Sequence, residues 1–412
     1  MDQIYITDIK IDHVRHLKNI EIPLSENHMK HLIITGKNGS GKTSLLDALA
    51  RYIYLITRPD YFNEQTIECE NLYPADVGFG KNNLYKIEQR SKDEKGTSKR
   101  LLVYEKEISL QKTGVVIQFN ELAENTSSLF SQGKFVTAYY KADRIFKAQI
   151  PQHVEKVTLK KDYSIEETPR QDFVKYLLDL KMTQALAVTG GKKEKAEQIA
   201  AWFKNFDDLL KRIFDEETFQ FTIHMNDRDS FDFNTLSSGY AAVLDIVVDL
   251  IIRMESQSDR KFDFSVAGIV LIDEIETHLH LELQRKILDL LTSIFPNIQF
   301  ILSTHSPFII NSVDNAVIYD LEKNLLVENG LSDVPYAGIV EGYFNSNEMS
   351  MLLQKKFNRY KELVNKEKLT DEDYDEISEL EMYLNQIPDY LALNITTEYQ
   401  RLKEVLRSRE DI

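Results

Sequence analysis

Cysteine is nearly missing: Cys69 is the single one in 412 residues, so no internal disulfide can form and a reducing compartment is expected. On its own that thiol reads as a small, passive side chain. Uninterrupted apolar runs of about 18 residues are also lacking, which leaves no candidate for a membrane-spanning helix. The opening Met1-Asp2-Gln3-Ile4 has no charged stretch leading into an apolar one and alternates as a strand does, so no secretory leader is expected and the cytoplasm is the expected address. Long heptad repeats are missing between Thr43 and Leu236, which excludes a coiled-coil arm. The chain is 42% apolar, enough to bury one large core or two moderate ones.

Positive charge is short overall, with a net charge of −16, which argues against nucleic acid wrapped over the whole surface. The imbalance is uneven, because residues 81–161 hold 16 Lys/Arg against 9 Asp/Glu. A solvated face and a local contact with DNA or another polyanion are both open readings of that excess.

Periodicity gives the order of parts. Residues 4–11 and 20–23 read as a strand pair around a polar turn at His16–Asn19, and His31–Thr35 is a short apolar run suited to the middle of a sheet. Leu45, Leu46, Leu49, Ile53 and Ile56 then recur at helical spacing. Residues 84–89, 100–110 and 114–119 alternate as antiparallel hairpins do, giving a β-rich lobe, and Gly133–Tyr140 returns to the core. Two helical faces, Phe173/Leu177/Leu180 and Ala196 to Ile213, flank Gly190-Gly191. A hairpin over 218–224 and 230–233 precedes a helix from Tyr240 to Met254. Buried-strand runs follow at 265–272, 298–303 and 316–321, with a helix over 279–295. The spacing predicts an α/β fold with a mixed, doubly wound sheet. The tail is a charged helical hairpin, 349–367 and 372–384, with Thr370 capping the second helix. The expected domains are 1–160, an N-terminal half with the β-lobe; 161–217, a helical insert; 218–344, a C-terminal half; and 345–412, an acidic helical tail.

Three stretches carry chemistry. Gly36-Lys37-Asn38-Gly39-Ser40-Gly41-Lys42-Thr43 fits the phosphate-loop pattern between a strand and a helix. Glycines there turn backbone N–H groups toward phosphate and the helix start at Ser44 adds its dipole. Lys42 reaches β and γ oxygens, and the Thr43 hydroxyl can ligate Mg²⁺. Gly268–Ile272 then delivers Asp273 and Glu274 at a strand's C-terminal end, where Asp273 suits the Mg²⁺ shell and Glu274 the attacking water. One strand later, His305 in Ser303–Pro307 is placed to donate a hydrogen bond to a γ-phosphate, although a lone histidine also serves as a structural group.

With Leu236-Ser237-Ser238-Gly239-Tyr240 about 35 residues before the acidic strand, and Glu276-Thr277-His278-Leu279-His280 after it, the chain resembles ABC-type ATPases of the SMC, RecF-like and OLD-like group over residues 1 to about 325. The resemblance implies an SMC-head-like fold, ATP and Mg²⁺ as cofactors, and a head-to-tail dimer in which Ser237, Ser238 and Gly239 of one copy cap ATP held by the other. It also implies a nucleotide contact for Arg15, whose alternative is a solvated turn. Ser238 stands where the first signature glycine is usual, and Tyr240 replaces Gln or Glu. No Q-loop glutamine is apparent, and Arg144 occupies the matching place. The Glu276–His280 and Ser303–Pro307 segments look most like ATPases of Septu, retron-associated and OLD bacterial defence systems. That likeness implies a sensor or scaffold controlling a separately encoded nuclease or toxin, with the tail as a docking element. No Toprim or HNH cluster is apparent in the chain itself. The alternative is a RecF-like repair ATPase that clamps DNA through the basic stretch.

Overall fold

Short runs of Ile, Val, Leu and Phe, apolar on both faces, build the central sheet, as parallel strands covered by helices require. The computed structural model describes residues 3–58, 113–121, 123–144, 155–215, 237–258, 262–328, 330–331, 334, 339, 351–366, 368–385 and 393–408. The expected strands over 84–89 and 100–110, the hairpin over 218–224 and 230–233, Cys69, Leu236 and Lys92, Lys95, Lys99 and Arg100 lie outside the described residues. Two compact units are present, Met1–Asp333 and Val334–Ile412.

In the first unit, β1 (Ile6–Val14), β2 (Leu17–Pro23) and β4 (Val115–Phe119) form an antiparallel sheet with β1 in the middle. The β1–β2 turn is tight, with Arg15 at a positive φ of 55° in it and Asn19 at 53° within β2. The larger sheet runs β5 (Phe135–Tyr140), β6 (Ala267–Ile272), β7 (Ile298–Ser303), β3 (His31–Thr35), β8 (Ala316–Asp320), β9 (Leu325–Val327). Its first five strands are parallel, and β9 turns back antiparallel on β8. The wholly buried Gln299 of β7 stitches the two sheets, accepting from Ile6 N at 2.7 Å and donating to Ile6 O at 3.0 Å, so its burial leaves no amide group unmet.

Helix α1 (Lys42–Thr57) starts straight from the loop after β3 and buries Leu45, Leu46, Leu49, Ile53 and Ile56 in the common core. Each such side chain contributes roughly 2 kcal/mol. After α2 (Ala123–Ser131), the expected helical insert is α3 (Phe173–Thr189) and α4 (Lys193–Phe214), reversing at Gly190-Gly191, where Gly191 has φ 71°. Trp202 anchors that pair, stacking on Phe206 at 5.4 Å and donating from Nε1 to Glu255 at 2.8 Å. Helix α5 (Ser238–Ser258) precedes β6; α6 (Leu281–Ile294) and the short α7 (Pro307–Ile310) flank β7.

In the second unit the expected hairpin is α8 (Met351–Val364) and α9 (Asp371–Leu384), and a third helix, α10 (Leu393–Arg407), joins it. Thr370 caps α9 with a reciprocal pair of bonds to Asp373, and Tyr360 meets Tyr399 with ring centroids 5.3 Å apart in the core. No helix of the described residues is long and apolar enough to cross a membrane.

Candidate active site

Adjacent parallel strands end side by side, so the loops after β3, β6 and β7 meet at one edge of the sheet, where α/β sheets bind ligands. The loop after β3 turns on Gly36, Gly39 and Gly41, whose φ values of 132°, 81° and 100° suit glycine. A side chain at Gly36 would press Ser40 Oγ at 2.8 Å, and one at Gly41 would lie 3.1 Å from the His16 ring, a tight contact that the ring would have to yield to. Asn38 and Gly39 are exposed at the loop tip, Ser40 is buried and Ser44 half-buried in the first turn of α1. Lys42 is buried, and its Nζ donates to the carbonyls of Gly36 at 2.8 Å and Lys37 at 3.1 Å, curling the side chain over the loop. Burial lowers its pKa, opposed by the carboxylates of Glu274, Glu276, Asp273 and Asp320.

Thr43 Oγ1 donates to Asp273 Oδ2 at 2.8 Å, and Ser303 Oγ donates to Asp273 Oδ1 at 2.5 Å, so the start of α1 and the end of β7 converge on the carboxylate that follows β6. Glu274 follows with a left-handed φ of 44°, its N–H donating to Ser303 Oγ at 2.8 Å, and it is half-buried. That turn sends consecutive carboxylates in different directions. His305 is half-buried, its N–H donating to Glu276 Oε1 at 2.5 Å. Burial, then the Lys42 charge, lowers the imidazole pKa against the carboxylates of Glu276, Glu274 and Asp273, which favours the neutral ring.

The remaining predicted residues are placed differently. Arg15 is exposed in its turn, and it is the next residue, His16, that meets the phosphate loop, donating from Nε2 to Ser40 O at 3.0 Å. Arg144, read as a Q-loop substitute, is buried and donates to the carbonyls of Asp273, Glu274 and Ile275. Ser237 and Ser238 are exposed at the start of α5, while Gly239 is buried where a Cβ would lie 3.0 Å from His278 O. Tyr240 packs inside the chain, 4.8 Å from the Phe214 ring. Sequence reasoning gave no role to Ser303, Glu276 or His16. Their signals are a hydroxyl closing a buried strand, a third acid three positions after Asp273, and a histidine in the turn preceding a glycine loop.

Thr43 and Asp273 present a hydroxyl and a carboxylate together, an oxygen donor set that fits a hard divalent cation. Comparison with known proteins adds to this geometry. A family model described as "AAA domain" matches residues 8–220, and one described as "AAA domain, putative AbiEii toxin, Type IV TA system" matches residues 141–311. The chain is 32% identical over 147 residues to the Retron Ec83 probable ATPase of Escherichia coli, a match covering 34% of this chain and 26% of that protein. It is 28% identical over 178 residues to the Septu protein PtuA of Bacillus mycoides (strain KBAB4), covering 43% and 21%. With the Retron Vc95 probable ATPase of Vibrio cholerae serotype O1 biovar El Tor it shares 57% over 51 residues, covering 12% and 10%. The chain thus spans about a quarter or less of the length of these curated relatives.

Proposed function

This chain belongs to the AAA-domain family, and from that premise we propose that it is a cytoplasmic ATPase whose sites are completed by a second copy. The observation that carries the reading is the convergence of Thr43, in the first turn of α1, with Asp273, Glu274 and Ser303 at the ends of the adjoining strands β6 and β7. The glycine loop would cradle the triphosphate with its N–H groups, and Lys42, released from the Gly36 and Lys37 carbonyls, would exchange them for phosphate oxygens. Thr43 and Asp273 would hold the Mg²⁺ that accompanies ATP, an ion that offsets phosphate charge when bound. Glu274 orients and deprotonates the attacking water, and neutral His305 donates a hydrogen bond to the γ-phosphate. Ser237, Ser238 and Gly239 of the partner copy would close over the nucleotide. The exposure of both serines leaves them available to it.

Relatives named for retrons and the Septu system support a role as sensor or scaffold in anti-phage defence, controlling a separately encoded nuclease or toxin, with residues 345–412 as the docking module. The RecF-like alternative, a DNA clamp, is favoured by one observation, the Lys/Arg excess of residues 81–161.

Glu274→Gln tests the central reading. The variant should lose ATP hydrolysis, since the amide cannot take a proton from water, yet form an ATP-dependent dimer in light scattering because the phosphate cradle stays. Normal turnover by Glu274→Gln, or no nucleotide-dependent dimer in any state, overturns it. Loss of effector binding on deleting residues 345–412 tests the docking role, and retained binding removes it.

A further inference from the structure

Arg144 follows β5 and sends its side chain into the backbone of the turn that bears Glu274. It is 4% exposed; Nη1 donates to Asp273 O at 2.9 Å, and Nη2 to Glu274 O at 3.2 Å and Ile275 O at 2.8 Å. Nη1 also reaches Lys141 O at 3.2 Å, which closes the arginine's own loop and fixes the approach of the side chain. Three successive carbonyls can face one guanidinium only where the chain curls, and Glu274 supplies the curl with its φ of 44°, a conformation that residues other than glycine avoid. From the opposite side β7 holds the same turn, because Ser303 Oγ accepts Glu274 N–H and Ser303 O accepts Ile275 N–H at 3.2 Å. The turn is gripped by its carbonyls on one side and its amides on the other.

We propose that Arg144 is a positioning residue for ATP hydrolysis: its forked guanidinium holds the left-handed turn at Glu274 and thereby aims that carboxylate at the attacking water. The assignment differs from a nucleotide contact, since both Nη atoms are spent on carbonyls and Nε, which has no hydrogen-bond partner, is buried. A planar fork is what the arrangement uses, and a lysine, with a compact charge on a flexible stem, can engage one of these carbonyls but cannot span them. Asp245 of α5 is wholly buried and is the foremost acidic group acting on the Arg144 charge, ahead of Glu276, Asp273 and Glu274.

The inference rests on the role given to Glu274 above, and the experiment separates the two. Full-length wild type, Glu274→Gln, Arg144→Lys and Arg144→Ala are compared for kcat and KM, for affinity toward a fluorescent ATP analogue, and by thermal melting. Arg144→Lys keeps the charge and most of the volume, so it carries the test where Arg144→Ala does not fold. The expected result is a roughly tenfold to hundredfold fall in kcat for Arg144→Lys with analogue affinity and KM within about threefold of wild type, the signature of a misaimed group. Added guanidinium at millimolar concentration should restore part of the Arg144→Ala turnover and none of the Glu274→Gln turnover. Active wild type, inactive Glu274→Gln and unimpaired Arg144→Lys overturn this inference alone; so does a folded Arg144→Lys that loses nucleotide affinity in parallel with kcat, which would make the arginine a nucleotide ligand. A wild type without turnover, or an active Glu274→Gln, removes the functional reading and this inference together.

Discussion

Replacing Ser303 by alanine separates the two duties of one hydroxyl. The residue is wholly buried at the end of β7; its Oγ donates to Asp273 Oδ1 at 2.5 Å and accepts Glu274 N–H at 2.8 Å. A hydrogen bond to an ionised carboxylate is worth roughly 1.5–3 kcal/mol, and a buried amide left without an acceptor costs about 1–3 kcal/mol. Because a single oxygen serves both, the two figures overlap, and a loss of about 3 kcal/mol is expected as a lower urea midpoint at unchanged slope. Asp273 keeps its Thr43 partner through Oδ2, so nucleotide affinity should hold while kcat falls by about tenfold, because Glu274 loses the bond that fixes its N–H. Equilibrium urea unfolding gives the first quantity and steady-state phosphate release the second. An unchanged midpoint together with kcat within twofold of wild type would refute the claim that Ser303 fastens the acidic turn.

Three further outcomes follow from other parts of the chain. His31 is buried, its Nδ1 accepts from Phe300 N at 3.1 Å, and burial lowers its pKa to about 4. The unfolded imidazole therefore binds the proton first, and stability is lost as pH falls from about 6.5 toward 4, by about 3 kcal/mol from this group. Asp245, pushed up to about 6 by burial, acts in the opposite sense over part of that window, so the readout is the difference between wild type and His31→Asn. A pH profile no flatter in His31→Asn would refute it. At Gly268 a Cβ would lie 2.3 Å from the Val136 carbonyl and 2.5 Å from Val136 Cγ2, so Gly268→Ala should lower stability by more than about 2 kcal/mol in thermal unfolding, and an unshifted melt refutes the clash. For the DNA-clamp alternative, neutralising Lys92, Lys95, Lys99 and Arg100 should weaken DNA binding and flatten its dependence on salt; binding indifferent to both removes the clamp.

What the sequence made legible is the part governed by local rules. A phosphate loop needs glycines at set places between a strand and a helix, and β3, Gly36–Thr43 and α1 have that order in three dimensions. Parallel strands buried on both faces must be apolar throughout, so β6 and β7 stood out, and Asp273 was found because an acidic pair closing such a run, a weak signal alone, follows a phosphate loop in the same chain. Less legible was anything set by partners distant in sequence. Arg144 meets carbonyls about 130 residues away, and no periodicity encodes a bond to backbone. His16 is a similar case: the left-handed turn at Arg15 brings the following residue onto Ser40, and a turn's conformation is not readable from two adjacent basic side chains. Helix α10 escaped because residues 395–397, Ile-Thr-Thr, have low helix propensity, which packing of Tyr399 and Leu402 overrides.

Helix α5 shows what such distant partners accomplish. Asp245, Asp249 and Arg253 stand four residues apart, hence on one face, in a helix otherwise rich in Val, Leu and Ile. Arg170 Nε lies 2.5 Å from Asp245; Asp249 takes the Tyr140 hydroxyl at 2.9 Å and Arg253 Nε at 2.7 Å; Arg253 Nη1 reaches Thr137 O at 2.9 Å and Ser164 O at 3.0 Å. Two turns of stability cannot be the reason for this face, because removing an ion from water costs several kcal/mol and apolar residues of similar volume often do as well or better. Apolar contacts, however, are non-directional and let a helix roll about its axis at little cost, whereas these bonds meet β5 on one side and the residues leading into α3 on the other at a single rotation. Since α5 begins at Ser238, that rotation sets the direction in which its exposed first residue leaves the body of the protein, and the buried charges fix the orientation of the helix that bears it.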